Sequence, residues 1–173
     1  LEIQKSQNAK RVNSSEMSSR RFAHLVKDQI AAARMALESN CSIITGRPGC
    51  GKTTVTKSIV EVLRDAGMSV LLCAPTGMAA KRMKDATGFP AMTIHRALGS
   101  RGANGFEHNR DNPLPYDVVI ADEGSMIGTF VMDKLVQAIA PGTKFIIIGD
   151  PEQLASIDPG DGLRDLMNSG VID

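Results

Sequence analysis

Gly46-Arg47-Pro48-Gly49-Cys50-Gly51-Lys52-Thr53 fits the phosphate-loop pattern G-x-x-x-x-G-K-[ST] at every constrained position. The residues on either side supply the context that pattern needs. Cys41 to Thr45 is an apolar run of strand length, and Val55, Ile59, Leu63 and Ala66 recur behind the loop at helical spacing. Strand, glycine turn and helix in that order make an anion site. Glycines let several N–H groups converge on one point, and the unpaired amides of the following helix add positive potential there. Gly46, Pro48, Gly49, Cys50, Gly51, Lys52, Thr53 and Thr54 are therefore the expected nucleotide-binding residues. Lys52 is expected to reach the β- and γ-phosphates, and Thr53 to offer its hydroxyl to Mg²⁺. A glycine turn that merely caps a helix is the plainer alternative.

At 173 residues the chain suits one domain, and 42% hydrophobic with 23% charged residues is the composition of a soluble α/β protein. No apolar stretch approaches the roughly 20 residues that span a bilayer, and the N-terminus carries no signal-peptide core, so the expected location is cytoplasmic, away from membrane. Cys41, Cys50 and Cys73 have neither metal spacing nor the even count of a disulfide framework. Cys41 and Cys73 read as core filler. Cys50, near a helix N-terminus, is where oxidation sensitivity would arise.

The net charge of +1 decides nothing about nucleic acid, but its distribution is uneven. Residues 1–21 carry five basic and two acidic side chains, and residues 81–110 carry six against two. A solvated basic face would look the same.

In chain order, residues 1–21 are rich in Ser, Asn, Gln and Lys without hydrophobic period, and read as a disordered linker or chain edge. From Phe22 a helix is expected, with Val26, Ile30, Ala33 and Leu37 on its apolar face and Gln29 near its start. The helix after the phosphate loop ends at Gly67. Ser69 to Ala74 reads as a second strand. Pro75-Thr76-Gly77 breaks it, and Met78 to Thr87 reads as a helix with Ala79, Met83 and Ala86 inward, closed by Gly88. Thr93 to Leu98 suits a short helix carrying His95 and Arg96. Gly99 to Pro113 is long for a tight connection and suits a small hairpin excursion. Val118 to Ala121 is a third strand, Ile127, Val131, Leu135 and Ile139 mark another flanking helix, and Phe145 to Ile148 is a fourth strand. Alternating strands and helices predict a parallel sheet covered on both faces.

Chemistry in such sheets gathers at the carboxyl ends of the strands. One of these strands ends in Asp122-Glu123. Beside a phosphate loop, the first carboxylate suits Mg²⁺ and the second suits activation of the attacking water. Two solvated acids at a strand end are the alternative. Another strand runs into Gly149-Asp150-Pro151-Glu152-Gln153-Leu154, where Gln153 could hold the γ-phosphate or the water.

GRPGCGKTT, APTGMAAKRM, TIHRALG, DVVIADEGSM and IIIGDPEQLASIDPGDGLRDL, in this order, resemble motifs I, Ia, Ib, II and III of superfamily 1 DNA helicases. The nearest likeness is to the RecD-like group, which includes the α subunit of exonuclease V, and it runs from about Leu25 to Gly170. The resemblance implies an α/β fold: a RecA-like P-loop NTPase domain over residues 22–173, with the motif III strand between those of motifs I and II. It implies ATP and Mg²⁺ as cofactors and movement on single-stranded DNA, 5′ to 3′. It assigns adenine to Gln29, phosphate to Lys52, metal to Thr53 and Asp122, water activation to Glu123 and γ-phosphate sensing to Gln153. Pro75, Thr76, Gly77, His95 and Arg96 fall on the DNA-gripping face, with Lys81 and Arg82 as nearby candidates. Gly105-Phe106-Glu107-His108 resembles the hairpin that family members use near the strand-separation point.

Thr76 as a simple helix cap, His95 as a core-facing ring and Phe106 as one exposed aromatic remain the alternatives. Five Phe, one Tyr and no Trp argue against base stacking as the main grip. Gly124 stands where the family commonly has alanine and is expected to loosen the turn behind Glu123. Motifs IV to VI have no match, so a second RecA-like domain of the same parent chain is an implied partner, and RecB/RecC-like subunits are possible ones. Arg47 is expected to lean toward solvent or that second domain. The other class of function in view is a non-catalytic module binding nucleotide and DNA, or a partner protein. A GTPase fits less well, since no Asn-Lys-x-Asp guanine signature is present.

Overall fold

The computed structural model describes residues 22–150, 152 and 162–168. The expectations for residues 1–21 and for Gln153 lie outside that set.

Five strands, β1 (Cys41–Thr45), β2 (Val70–Ala74), β3 (Ala91–Thr93), β4 (Val118–Ala121) and β5 (Lys144–Gly149), form one sheet in the order β1-β5-β4-β2-β3. Every pairing is parallel, with Thr45 opposite Gly149, Ala121 opposite Ile147 and Cys73 opposite Ala121. The strand ends that carry motifs I, III and II are therefore neighbours in that order.

Because side chains alternate along a strand, continuous apolar runs serve two cores at once. Ile44, Leu72, Val118, Ile120, Ile146 and Ile148 face helices α1 (Lys27–Glu38), α2 (Lys52–Asp65) and α3 (Gly77–Thr87). Ile43, Leu71, Cys73, Val119, Phe145 and Ile147 face α4 (Ile94–Ala97), α5 (Thr129–Gln137) and α6 (Gly162–Asn168). Burial pushes the Cys41 thiol up to about 11 and the Cys73 thiol to about 12, so both are inert filler, as read from their positions.

The helix ends follow local chemistry. Gly67, at φ +75°, closes α2: its N–H donates to the Arg64 carbonyl at 2.9 Å and that of Met68 to Leu63 at 3.0 Å, the two bonds of a Schellman motif. Gly88 closes α3. Three expectations need correction. Val26 is the exposed N-cap of α1 and not part of its apolar face, because Phe22 and Leu25 in the preceding turn fill that space. On α3 the buried set is Ala79, Ala80, Met83 and Thr87, and Ala86 is exposed. Thr87 tolerates burial because its hydroxyl donates to the Met83 carbonyl at 2.7 Å. Gly124 does not loosen its turn: a Cβ there would meet Ile147 Cγ2 at 2.7 Å and the Ile148 carbonyl at 3.3 Å, so the missing side chain is what lets the turn lie against β5.

Residues 99–113 do make an excursion. Ser100 and Phe106 form an antiparallel bridge, and the Glu107 and His108 N–H groups donate to Gly99 and Leu98. Arg101 Nη2 lies 3.4 Å from Glu107 Oε2 across its base.

Candidate nucleotide and nucleic-acid site

The phosphate loop leaves β1 and enters α2 with Gly49 and Gly51 at φ +80° and +85°, conformations that a side chain would strain. Among the described residues, the first regular backbone bond of α2 runs from the Val55 N–H to the Gly51 carbonyl, and no backbone carbonyl takes the N–H groups of Gly51, Lys52, Thr53 or Thr54. Those donors are the ones an anion would use. Pro48, Gly49, Cys50, Thr53 and Thr54 are exposed, so the loop is open to a ligand. Lys52 donates through Nζ to the Gly46 carbonyl and, at 3.3 Å, to that of Arg47, which folds the ammonium over its own loop.

Gln29 ties α1 to the loop. Its Nε2 donates to the Cys50 carbonyl at 2.9 Å while its Oε1 accepts the Val26 N–H at 3.2 Å. A primary amide has a second proton and a second lone pair, so capacity remains for a base edge. Gly51 suits the place beside it through its φ of +85°, and a Cβ there would push the Gln29 amide from its position. A cavity of about 510 Å³ opens next to Thr53 and Thr54, between α2 and Ala86 of α3.

Asp122 and Glu123 leave β4 beside this loop. The Glu123 N–H donates to Asp122 Oδ1 at 2.9 Å, and the Asp122 N–H donates to the Cys73 carbonyl. Glu123 sits at φ 55°, ψ 44°, and is the one non-glycine residue with positive φ among those described. Such a conformation costs on the order of 1–3 kcal/mol and is characteristic of sites where side-chain direction matters more than local stability.

Burial raises the Asp122 carboxyl above its ordinary range; the Glu123 N–H lowers it, the Glu123 carboxylate raises it and the Lys52 ammonium lowers it, with burial prevailing. An acid whose folded pKa lies above its unfolded one destabilises the fold when ionised. The cost is fully present above the folded pKa and vanishes below the unfolded value of about 3.9. Asp122→Asn is therefore expected to raise the Tm of the nucleotide-free chain at neutral pH, with the gain shrinking as pH falls toward that value. Asn keeps the acceptor for the Glu123 N–H. Melting curves of both proteins across pH check it, and a variant less stable at neutral pH contradicts the sign.

On β5 the strand ends in Gly149, where a Cβ would meet Leu163 Cδ2 at 2.8 Å and the Gly124 amide nitrogen at 3.2 Å. Glycines 124 and 149 thus let the turns after β4 and β5 touch. Asp150 is buried and its Oδ1 accepts the Glu152 N–H at 3.0 Å. Arg47 Nε lies 3.3 Å from Glu152 Oε2, so the arginine leans into solvent, as expected, while its tip meets the motif III turn. Sequence reading missed this partner, whose opposite charge was visible but whose nearness depends on the β1–β5 pairing.

Around the corner of the sheet, Pro75 is half-buried and Thr76 and Gly77 are exposed. Thr76 does cap α3, accepting the Ala79 N–H at 3.1 Å, which leaves its hydroxyl proton free to donate. Lys81 and Arg82 lie on the exposed side of α3. Thr93 caps α4, and both His95 and Arg96 are exposed, so His95 is not a core ring. Asp122, Glu123 and the loop thus converge at one edge of the sheet, with Thr76 and Arg96 on the next strand ends along. Among the described residues no group of three or more His, Cys, Asp or Glu could hold a metal by itself, and no helix is long and apolar enough to cross a membrane.

The AAA domain family matches residues 29–159. The chain is 44% identical over 135 residues to the ATP-dependent RecD2 DNA helicase of Deinococcus radiodurans, an alignment covering 78% of this chain and 18% of that protein. It is 38% identical over 174 residues to the RecBCD enzyme subunit RecD of Mycolicibacterium smegmatis, covering 86% of this chain and 31% of that one. The chain thus spans less than a third of the length of these two relatives. Among solved structures, the Pif1 helicase of Candida albicans matches with a TM-score of 0.65 at 23% identity over 86% of this chain and 38% of that one, a likeness of fold.

Proposed function

We propose, from the premise that this chain belongs to the AAA domain family, that it is the ATP-hydrolysing motor domain of a DNA helicase that tracks 5′ to 3′ along single-stranded DNA. The observation that carries this reading is the adjacency of three strand ends: the phosphate loop after β1, the Asp150 turn after β5 and Asp122-Glu123 after β4. The names of the RecD and RecD2 relatives support it.

In this reading the loop amides take the β- and γ-phosphates, and Lys52 exchanges the Gly46 and Arg47 carbonyls for phosphate oxygens. The Thr53 hydroxyl and the Asp122 carboxylate suit Mg²⁺, which uses one or two protein oxygens beside phosphate and water, and which would neutralise charge on the phosphates. Glu123 takes a proton from the attacking water. Gln153 follows the β5 turn in sequence and is assigned the γ-phosphate. Gln29 reads adenine with its spare amide capacity, and the cavity beside Thr54 gives the sugar and base room. A second motor domain, and RecB/RecC-type subunits, are the partners this reading calls for.

For DNA, the Thr76 hydroxyl with the first amides of α3, and the side chains of Lys81, Arg82, His95 and Arg96, take backbone phosphates. Replacing Lys81, Arg82 and Arg96 with Ala is expected to weaken single-strand binding and to reduce the slope of log affinity against log salt by about 0.7 per lost contact. Titration of a fluorescent oligothymidylate over a salt series measures it. An unchanged slope identifies the patch as a solvated face. ATP turnover with and without the same strand, measured in this chain and in a fusion to a second motor domain, tests the motor assignment, and a fusion that the strand does not stimulate contradicts it.

A further inference from the structure

The sequence scatters its few aromatics, but the fold gathers three rings on one surface. His95 from α4 and Phe106 from the excursion lie 5.9 Å apart between centroids, and Phe106 and the Phe130 ring at the start of α5 lie 6.4 Å apart. The ring planes are tilted by 50° and 39°, within the offset geometries aromatic pairs prefer. Phe106 is anchored against the α4/α5 core on one side, and the bridge to Ser100 fixes its backbone. Phe130 is 64% exposed, an unusual place for a phenylalanine.

Charged side chains surround the rings. Lys134 Nζ stands 5.5 Å from the Phe130 centroid, and Arg96 and Arg101 flank His95 and the excursion. Glu107 pairs with Arg101 and Asp133 with Lys134 and Gln137, so these charges cancel within the region, while Asp165 accepts from the Thr129 hydroxyl next to Phe130. Arg96 forms no ion pair among the described residues. Exposed rings beside an arginine that no described carboxylate pairs suit a polyanion that carries flat apolar faces, which is single-stranded nucleic acid.

We propose that His95, Phe106 and Phe130 form a base-stacking platform for the single strand, so that the chain holds bases as well as phosphates. This rests on the reading of Arg96 and its neighbours as a DNA face and adds Phe106 and Phe130 to it. A protein segment docking on the same rings is the competing occupant. Arg96, without an ion pair among the described residues, favours the anionic strand over an apolar protein surface.

The test uses the full chain with two probes, an oligothymidylate and a strand of equal length whose sugars lack bases. Phe130→Ala, whose side chain is too exposed to support the fold, is expected to weaken oligothymidylate binding by about tenfold, to leave the salt slope alone and to leave the baseless strand unaffected. Phe106→Leu, which keeps apolar bulk against the core, is expected to behave likewise. Arg96→Ala should weaken both probes and lower the salt slope. Equal weakening of both probes by Phe130→Ala overturns the platform, as does an unchanged affinity for oligothymidylate in both ring variants. If Arg96→Ala still acts in that second case, the DNA reading survives alone; if no variant changes binding, the DNA reading falls with the platform. A ring variant that binds strand normally but loses association with another protein domain assigns the patch to that domain.

Discussion

Glu123→Gln is expected to bind Mg-ATP as tightly as the parent chain and to hydrolyse it about 10²- to 10⁴-fold more slowly, the range that a general base supplies. The substitution keeps the size and shape of the side chain and the amide that donates to Asp122 Oδ1, so the turn behind β4 is preserved. Only the capacity to accept a proton is lost. Lys52→Ala acts on a different term. The ammonium that spans the Gly46 and Arg47 carbonyls is the one placed to reach phosphate, and its loss should weaken binding itself. A fluorescent ATP analogue separates the two by affinity, and single-turnover hydrolysis separates them by rate. Turnover that is unchanged in Glu123→Gln removes the residue from the chemistry. A companion measurement uses the backbone: Glu123→Gly releases the left-handed strain at φ 55° and should gain roughly 1 kcal/mol of stability while losing activity.

Much of this site was legible because its signals are local. A phosphate loop is written in consecutive glycines, a lysine and a threonine, and the strand before it and the helix after it carry their own periods. The strand order with β5 between β1 and β4 came through the resemblance to RecD-like motor domains, a likeness the relatives bear out, and the pairing register agrees with it. What stayed hidden depends on contacts between distant segments. The edge strand β3 has three half-buried residues and no apolar run, so it is defined by pairing with β2. Helix α6 follows a stretch of Asp, Pro and Gly that reads as turn, and it earns its place by packing Leu163 over Gly149. The ring cluster joins three separate elements. Gly124 was misjudged for a related reason: a glycine in a turn signals freedom in sequence, whereas here it permits a close approach to β5.

The 173-residue chain by itself is expected to bind Mg-ATP and to hydrolyse it on the order of 10³-fold or more slowly than a longer chain that adds a second motor domain. Phosphoryl transfer spreads charge over the departing γ-phosphate, and an arginine placed there is worth on the order of 10³ to 10⁵ in rate. Within the phosphate loop Arg47 is the one arginine, and its Nε is held 3.3 Å from Glu152 Oε2 on the motif III side. Both side chains are largely exposed, so the pair is weak and is not what the fold depends on. Arg47→Ala should accordingly leave the slow turnover of the 173-residue chain within about fivefold of its starting value, since surface pairs of this kind contribute at most about 1 kcal/mol. Stimulation by single-stranded DNA should be small in the same protein, because translocation needs two domains that close on ATP and open again. Steady-state turnover of the chain alone, of Arg47→Ala and of a fusion to a RecD-type second motor domain compares the three directly. Fast, DNA-stimulated hydrolysis by the monomeric 173-residue chain, abolished by Arg47→Ala, would make Arg47 the charge-stabilising residue and the catalytic set complete without a second domain.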